Sequence, residues 1–155
     1  QIMIKVNVFS EEKAWSKKLK NTDLFFKKIC KAFPKKYQFL NKKISFSLLL
    51  SNNTKIKKLN KFFRKKNKST DILSFPIDKK INISNNTYLG DIIISYDYLD
   101  KPKSQDTKLF KEKVIKIFIH GLLHLLDFNH KKNKDYFKML KEENFIFKHV
   151  KSKIN

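Results

Sequence analysis

Cysteine, glycine, proline and acidic residues are scarce in this sequence. Its 155 residues include one cysteine, two glycines and three prolines, with 14 acidic against 36 basic side chains. The single cysteine, Cys30, excludes a disulfide framework and a zinc site made of cysteine pairs. Its phase with Leu24, Phe25 and Ile29 predicts a small core residue. No apolar run approaches the roughly 20 residues of a transmembrane helix, so we expect a cytoplasmic protein without a membrane partner.

The residues that are abundant describe a folded and strongly basic protein. Hydrophobic residues make up 41% of the chain and include 15 phenylalanines, which argues against a disordered basic tail. We expect a single domain spanning residues 1–155. The formal net charge of +22 attracts polyanions, with nucleic acid as the first candidate and a membrane surface or an acidic protein as the second. Because lysine is a default surface residue in proteins from genomes rich in A and T, the charge alone is a weak argument for a nucleic-acid partner.

The hydrophobic pattern predicts four strands and four helices. Alternating apolar residues predict strands over residues 1–9, 44–50, 72–77 and 88–95, of which the first reads as an edge strand and not as a signal segment. Helical spacing predicts one helix capped by Thr22 or Asp23 and a second that begins at Asn53 or Thr54. It also predicts helices that span residues 109–126 and residues 135–150. The apolar residues of the second helix are Ile56, Leu59, Phe62 and Phe63. Strands and helices do not alternate strictly, so we predict the α+β class, with helices packed on one sheet.

Three of the four histidines lie within residues 120–130. His120 and His124 are four residues apart and therefore share one face of a helix, as a common metal ion requires. His130 can join them only if the helix stops and the chain folds back. Asp127 and Asn129 lie at that point, and both residue types tolerate left-handed backbone. We interpret the three histidines as ligands of one divalent metal ion, in preference to three separate core histidines.

The ligand types indicate which metal binds and what it does. Three neutral imidazoles without a thiolate make zinc the default metal, although nickel or cobalt would fit. Three protein ligands leave a position for water or substrate, which is the catalytic arrangement. Metalloproteases with this spacing need a glutamate after the first histidine, where this chain has Gly121, so that peptide-cleaving mechanism is disfavoured. Either close packing or an open space beside the metal accounts for this glycine, and the sequence leaves both open.

Arg64 is the only arginine among the 36 basic residues. A guanidinium retained where lysine serves elsewhere indicates bidentate recognition of phosphate or carboxylate, or else an ordinary surface ion pair. Lys65, Lys66 and Lys68 follow it in a basic loop that suits a phosphodiester backbone and equally suits plain solvation. We assign these three lysines to substrate binding.

Four segments, in order through most of the chain, match the pattern of a known family. They are residues 59–64, 70–76 (TDILSFP), 89–92 (LGDI) and 120–130 (HGLLHLLDFNH). They resemble the YbeY family of bacterial endoribonucleases, whose pattern for the last segment is H-G-x-L-H-L-x-G-[YF]-D-H. Segments 70–76 and 120–130 are specific, whereas residues 89–92 alone are a weak signal.

This resemblance implies a site, a fold and an activity. It implies that His120, His124 and His130 hold one metal ion beside a positively charged cleft, and that Arg64 is the phosphate-facing catalytic residue. The implied fold is a mixed four-stranded sheet with helices, similar to zincin metalloprotease domains. The implied activity is cleavage of single-stranded RNA, in maturation of the small-subunit (16S) ribosomal RNA and in removal of defective ribosomes. The small ribosomal subunit, an Era-type GTPase and a small-subunit ribosomal protein are the partners that the family suggests.

Two positions depart from the family pattern. Asp127 stands where the pattern has glycine, and Asn129 stands where it has aspartate. Asp127 adds a carboxylate at the turn, and Asn129 removes a charge that could orient a ligand histidine. Neither change removes a ligand, so we expect an effect on the level of activity more than on metal binding.

The primary hypothesis is metal-assisted cleavage of a phosphodiester bond. The ion would lower the pKa of a bound water, and Arg64 would stabilise charge that develops on the phosphate. The base stays open between the metal-activated water, Asp127 and the 2′-OH of the substrate. The second hypothesis is a non-catalytic, ribosome-associated RNA-binding factor with a structural metal. A metalloprotease is the third.

Overall fold

The computed structural model describes residues 4–78, 82–128 and 132–154. Its strands are β1 (Ile4–Ser10), β2 (Lys43–Ser51), β3 (Ile72–Pro76) and β4 (Asn86–Ser95). Its helices are α1 (Ala14–Leu19), α2 (Thr22–Lys31), α3 (Asn53–Arg64), α4 (Tyr96–Leu99), α5 (Thr107–Leu125) and α6 (Asn133–Ile154), with a 3-10 helix (Lys35–Tyr37) after α2. Each predicted element is present with bounds that differ by a few residues, and residues 1–3 of the first predicted strand lie outside the described residues. The short helices α1 and α4 were not predicted, because neither is long enough to show a helical period.

The four strands form one mixed sheet in the order β1-β2-β4-β3. β1 and β4 pair parallel to β2, and β3 pairs antiparallel to β4. The α+β class and the mixed four-stranded sheet are therefore confirmed, and β1 lies at an edge as predicted. β3 forms the other edge. The backbone of Asp71 and Ile77 bonds to β4, so the alternation of an antiparallel ladder turns the Ser74 carbonyl outward, to the free side of β3.

The sheet separates a large core from a small one. On one face, Phe46 and Ile92 belong to a cluster that includes the buried residues of α1, α2, α5 and α6. On the other face, Ile56 of α3 packs with Leu73 and Ile93. Side chains alternate along a strand, which explains why neighbours such as Ile92 and Ile93 belong to different clusters. Helices α5 and α3 thus lie on opposite faces of the sheet, and both contact the edge strand β3.

Asparagine side chains begin helices α2 and α3. Asn21 accepts a hydrogen bond from the Leu24 backbone N–H at 3.0 Å, and Asn52 accepts one from Lys55 at the same distance. The cap of α2 therefore lies one residue before the predicted Thr22 or Asp23, since an asparagine is as good an N-cap as threonine or aspartate. Helix α3 begins at Asn53, one of its two predicted starts. Cys30 is buried on α2, as predicted.

The two phenylalanines at the end of α3 do not join the core. The helix is present as predicted, but the exposed fractions of Phe62 and Phe63 are 72% and 58%. The reason is that only Ile56 and Asn60 of α3 are buried, so the inner face of the helix is narrow. By contrast α5 is buried along most of its length, as predicted, and supplies Phe118 and Leu122 to the large core.

Gly90 lies where the register between β2 and β4 shifts by one residue. Ser45 is opposite Tyr88, whereas Ser47 is opposite Asp91, so β4 holds one extra residue there. Gly90 has a φ of 138°, which residues other than glycine rarely adopt.

None of the helices in residues 4–78, 82–128 and 132–154 has the length and apolar character that crossing a membrane requires.

Candidate active site

His120 and His124 lie together near the end of α5. Their Nε2 atoms are 3.0 Å apart, and their ring centroids are 4.6 Å apart at an interplanar angle of 84°. The spacing of four residues brings both rings to one face of the helix, as predicted. Both side chains are partly buried, and His120 lines two surface cavities.

Hydrogen bonds at Nδ1 orient both rings. Nδ1 of His120 donates to Glu143 Oε1 on α6, in a very short contact, and Nδ1 of His124 donates to the Phe128 carbonyl at 3.0 Å. A carboxylate and a carbonyl only accept, so each Nδ1 carries a proton and a neutral ring keeps its lone pair on Nε2. This arrangement, in which a carboxylate or carbonyl holds the far nitrogen, is typical of histidines that bind metals.

The donor set fits a divalent ion as far as the described residues reach. Two Nε2 atoms 3.0 Å apart share either a proton or a cation, and one ion with bonds of about 2.0–2.1 Å can bind both. Within residues 4–78, 82–128 and 132–154, no three His, Cys, Asp or Glu side chains form a metal-binding group. The third predicted ligand, His130, lies outside the described residues, as does Asn129.

The turn after α5 stops the helix at the predicted place. Asp127 has a φ of 73°, and its N–H donates to the His124 carbonyl at 3.1 Å. The N–H of Phe128 donates to the Leu123 carbonyl at 3.0 Å. These two bonds around a left-handed residue are a Schellman motif. The motif also presents the Phe128 carbonyl to the ring of His124, so the turn positions a histidine as well as ending the helix.

Gly121 lets α5 approach the sheet closely. A Cβ atom at this position would lie 2.5 Å from Cδ1 of Ile72 and 3.2 Å from both Cγ2 of Ile92 and Oγ of Ser74. The glycine is buried. Of the two explanations that the sequence left open, the structure favours the packing contact with β3 and β4.

Arg64 lies at the free edge of β3 and is connected to α5 through Ser74. Its Nη2 donates to the Ser74 carbonyl at 3.0 Å, and the Ser74 hydroxyl donates to the Gly121 carbonyl at 3.1 Å. The guanidinium carbon also lies 5.7 Å from the Phe75 ring centroid. A guanidinium has five N–H donors, and the bond to Ser74 occupies one of them. Arg64 is thus held by backbone and ring contacts in an exposed position, two hydrogen bonds away from the residue next to His120.

The loop of Lys65, Lys66 and Lys68 is tied to the end of α3 by Asn60. Asn60 is buried, its Nδ2 donates to the Lys68 carbonyl at 2.9 Å, and its carbonyl accepts from the Lys66 N–H at 3.2 Å. Lys65 ends the helix in a left-handed conformation with a φ of 59°. All three lysine side chains are exposed. The structure therefore gives the loop a defined position beside Arg64, and the assignment of its lysines to substrate binding stays a prediction.

Two cavities flank His120 and Glu143. The smaller has a volume of about 210 Å³, and the larger, of about 370 Å³, is also lined by Ile72, Lys113 and Lys116. The larger volume lies in the range of small-molecule sites. Lys113 and Lys116 precede His120 by seven and four residues, so the helical repeat places all three on one side of α5.

Sequence reasoning missed Glu143 and the two cavity lysines. Glu143 shares a helical face with Met139, Ile146 and Val150, which are the buried residues of α6. A carboxylate on the buried face of a helix is rarely there without a partner. That pattern was a usable signal, but the sequence alone did not name the partner as His120.

Comparison with known proteins identifies the family of this chain. The family model described as "Endoribonuclease YbeY" matches residues 7–151. A Pelagibacter ubique protein named Endoribonuclease YbeY is 57% identical over 152 residues, covering 98% of this chain and 99% of that protein. A Persephonella marina protein of the same name is 36% identical over 110 residues, covering 70% and 72% of the two chains. The solution structure of TM1509 from Thermotoga maritima matches with a TM-score of 0.55 at 21% identity, covering 94% of this chain and 89% of that one, and so shares the fold. This chain belongs to the endoribonuclease YbeY family.

Proposed function

We propose that this protein is a metal-dependent endoribonuclease that cuts single-stranded RNA. Its proposed role is late maturation of small-subunit ribosomal RNA and ribosome quality control in the cytoplasm. Family membership supports the endoribonuclease activity, because the relatives that match nearly the whole chain carry that name. The observation that carries the metal dependence is the His120–His124 pair, with both Nδ1 atoms hydrogen-bonded to acceptors and both Nε2 atoms 3.0 Å apart.

His120, His124 and His130 are the proposed ligands of one zinc ion. When bound, such an ion lowers the pKa of a water and polarises a phosphoryl oxygen. Glu143 and the Phe128 carbonyl keep the protons on the Nδ1 atoms, so that both Nε2 atoms face the proposed ion. The cavity of about 370 Å³ beside His120, with Lys113 and Lys116 on its wall, is the proposed approach of the RNA backbone.

Arg64 is the proposed phosphate-binding catalytic residue. The Ser74 carbonyl and the Phe75 ring hold the guanidinium at the β3 edge, which lowers the entropy lost when it binds an anion. Its remaining donors would stabilise the charge that develops on the phosphate in the transition state. Lys65, Lys66 and Lys68 would add electrostatic attraction for the strand next to it. We propose the small ribosomal subunit, an Era-type GTPase and a small-subunit ribosomal protein as partners on the family resemblance alone.

Cleavage of a labelled single-stranded RNA, with metal analysis of the same preparation, tests the proposal. We expect about one equivalent of zinc, loss of cleavage with a chelator and its return with added zinc. Arg64→Lys keeps the charge but loses the planar fork, and we expect it to lower kcat by roughly 100-fold while metal content is unchanged. Cleavage by Arg64→Ala at the parent rate would refute the role of this residue. A 2′,3′-cyclic phosphate product would show attack by the 2′-OH and exclude attack by water.

The alternative function is a non-catalytic RNA-binding factor with a structural metal. The contact between Glu143 of α6 and His120 of α5 favours it as a second candidate, because a metal at this position would also brace the two helices. It predicts that metal-loaded protein binds RNA without cutting it, and that His124→Ala lowers the thermal unfolding temperature. The nuclease proposal instead predicts that His124→Ala loses cleavage and metal.

A further inference from the structure

The end of α3 presents two large aromatic rings to solvent. Phe62 is 72% exposed and Phe63 is 58% exposed, and they are consecutive residues in the last turn of the helix. Scattered single apolar residues on a surface need no explanation, but two adjacent rings form a patch. They immediately precede Arg64, which is assigned to the phosphate in the proposed function.

Ring contacts fix the orientation of this patch. The Phe62 and Phe63 centroids are 4.8 Å apart at an interplanar angle of 76°, and Phe63 lies 5.2 Å from Phe75 at 55°. Arg64 lies over the Phe75 ring at 5.7 Å. The three rings and the guanidinium therefore form one continuous surface, which we call the α3 platform (Phe62, Phe63, Arg64 and Phe75). These ring contacts restrict the side chains before any ligand binds, which reduces the side-chain entropy lost on binding.

The charge along the chain segment that carries most of the α3 platform has one sign, whereas Asp91 of β4 lies opposite Phe75 in the sheet. Residues 53–70 contain eight basic and no acidic side chains. Besides Arg64, those nearest the rings in sequence are Lys61, Lys65 and Lys66, and all of them are exposed. A second copy of this chain would bring another such surface against the first, and the like charges would repel. A polyanion is attracted to it instead.

We infer that the α3 platform stacks unpaired bases of a single-stranded RNA whose phosphate is bound by Arg64. Exposed aromatic rings next to cations are the means by which proteins hold single strands without sequence preference. Only unpaired bases offer their faces to a ring, so the platform would also select single strands over duplexes. Its link to catalysis rests on the proposed function, because Arg64 is assigned there, whereas the stacking itself is a property of binding.

Binding of a short labelled single-stranded RNA to the metal-loaded protein, measured by fluorescence anisotropy before any cleavage product is detectable, tests this inference. The double variant Phe62→Leu/Phe63→Leu keeps apolar side chains and removes both rings. We expect its Kd to rise about ten-fold or more, while Phe62→Tyr/Phe63→Tyr stays near the parent. The matched control is Phe9→Leu, since Phe9 is 59% exposed on β1, at the opposite edge of the sheet. We expect no change in its Kd.

The salt dependence separates stacking from charge. Loss of a ring removes no ion pair, so the slope of log Kd against log salt concentration should be the same for the leucine variant and the parent. Lys65→Ala/Lys66→Ala should make that slope smaller. An abasic oligonucleotide should bind the parent and the leucine variant with the same Kd. The Kd for duplex RNA should also be the same for the two proteins.

Several outcomes would overturn the inference. One is a Kd for the leucine variant within about two-fold of the parent at every salt concentration. Another is equal weakening for duplex and single-stranded RNA. A third is that the parent self-associates, or binds lipid vesicles, through these two rings, and that the leucine variant loses this binding. That result would identify a different occupant of the α3 platform. If the stacking signature appears but RNA is never cut when zinc is present, the proposed function fails and the platform stands. Since both rings are exposed, unchanged thermal unfolding is expected and should be checked first.

Discussion

Glu143 of α6 accepts a hydrogen bond from Nδ1 of His120 on α5, although 22 residues separate the two in sequence. Its neighbour Glu142 faces another way and binds Lys36 and Tyr37, each at 2.8 Å. Adjacent residues on a helix point about 100° apart. One carboxylate therefore serves the candidate metal centre, and the next one ties α6 to the segment after α2.

The first prediction concerns this pair of glutamates. Glu143→Gln keeps the shape of the side chain but replaces a carboxylate with a weaker acceptor for the His120 N–H. We expect zinc affinity to fall by roughly 10- to 100-fold, as is usual for such supporting groups. Glu142→Gln is the matched control and should bind zinc as the parent does. Competition with a chromophoric chelator measures both, and equal affinities for the two variants would contradict the role of Glu143.

The second prediction concerns the left-handed residue that ends α5. Asp127 has a φ of 73° and places a carboxylate at the negative end of a helix. Asp127→Gly removes both the strain of a side chain in left-handed backbone and the unfavourable charge at the helix end. It should therefore raise the free energy of unfolding by about 1 kcal/mol. Asp127→Asn keeps the tolerance for left-handed backbone and removes only the charge, so it should give a smaller part of the gain. Urea unfolding measures the difference, and a less stable glycine variant would show that the carboxylate has a stabilising contact.

The third prediction concerns Gly90 in β4. A Cβ atom there would lie 2.2 Å from the Phe75 carbonyl oxygen, which belongs to the backbone and cannot move aside cheaply. The φ of 138° adds strain for any side chain. We expect Gly90→Ala to lower the free energy of unfolding by about 2 kcal/mol or more. Thermal or urea unfolding measures this, and an unchanged stability would mean that β3 and β4 can shift their register at no cost.

The fourth prediction concerns pH and Glu142. Burial raises the pKa of Glu142, but hydrogen bonds from Lys36 and Tyr37 lower it more, so its pKa lies below the usual value. A carboxyl whose folded pKa is lowered stabilises the protein above its unfolded pKa of about 4.3, and this stabilisation is lost as the pH falls through the folded pKa. We expect this stabilisation to be less than about 1 kcal/mol, because Lys36 is half exposed and solvent screens its ion pair with Glu142.

The measurement for this prediction is the free energy of unfolding between about pH 6 and pH 3. The parent should lose more stability over this interval than Glu142→Gln, which has no carboxyl to titrate at this position. A parallel loss in both proteins would mean that the ion pair with Lys36 contributes nothing in solution. Glu143→Gln is not a suitable control here, because it also changes the candidate metal centre.

Local sequence determined the parts of this protein that depend on neighbours along the chain. The helical repeat alone placed His120 and His124 on one face, and residue type alone indicated that α5 stops at Asp127 or Asn129. Alternation predicted the four strands, and the helical spacing of apolar residues from Ile56 to Phe63 predicted α3. These features follow from backbone geometry over a few residues, which is why the sequence was sufficient for them.

Tertiary structure decided everything that depends on residues far apart in the chain. Only packing of α6 against α5 brought Glu143 to His120, and only the edge position of β3 gave Arg64 its contact with Ser74. Phe62 has the same helical spacing as a core residue, yet it is exposed because α3 has a narrow inner face and the large core lies on the other side of the sheet. Sequence periodicity states which residues share a face, but whether that face meets another element or solvent is set by the arrangement of the whole chain.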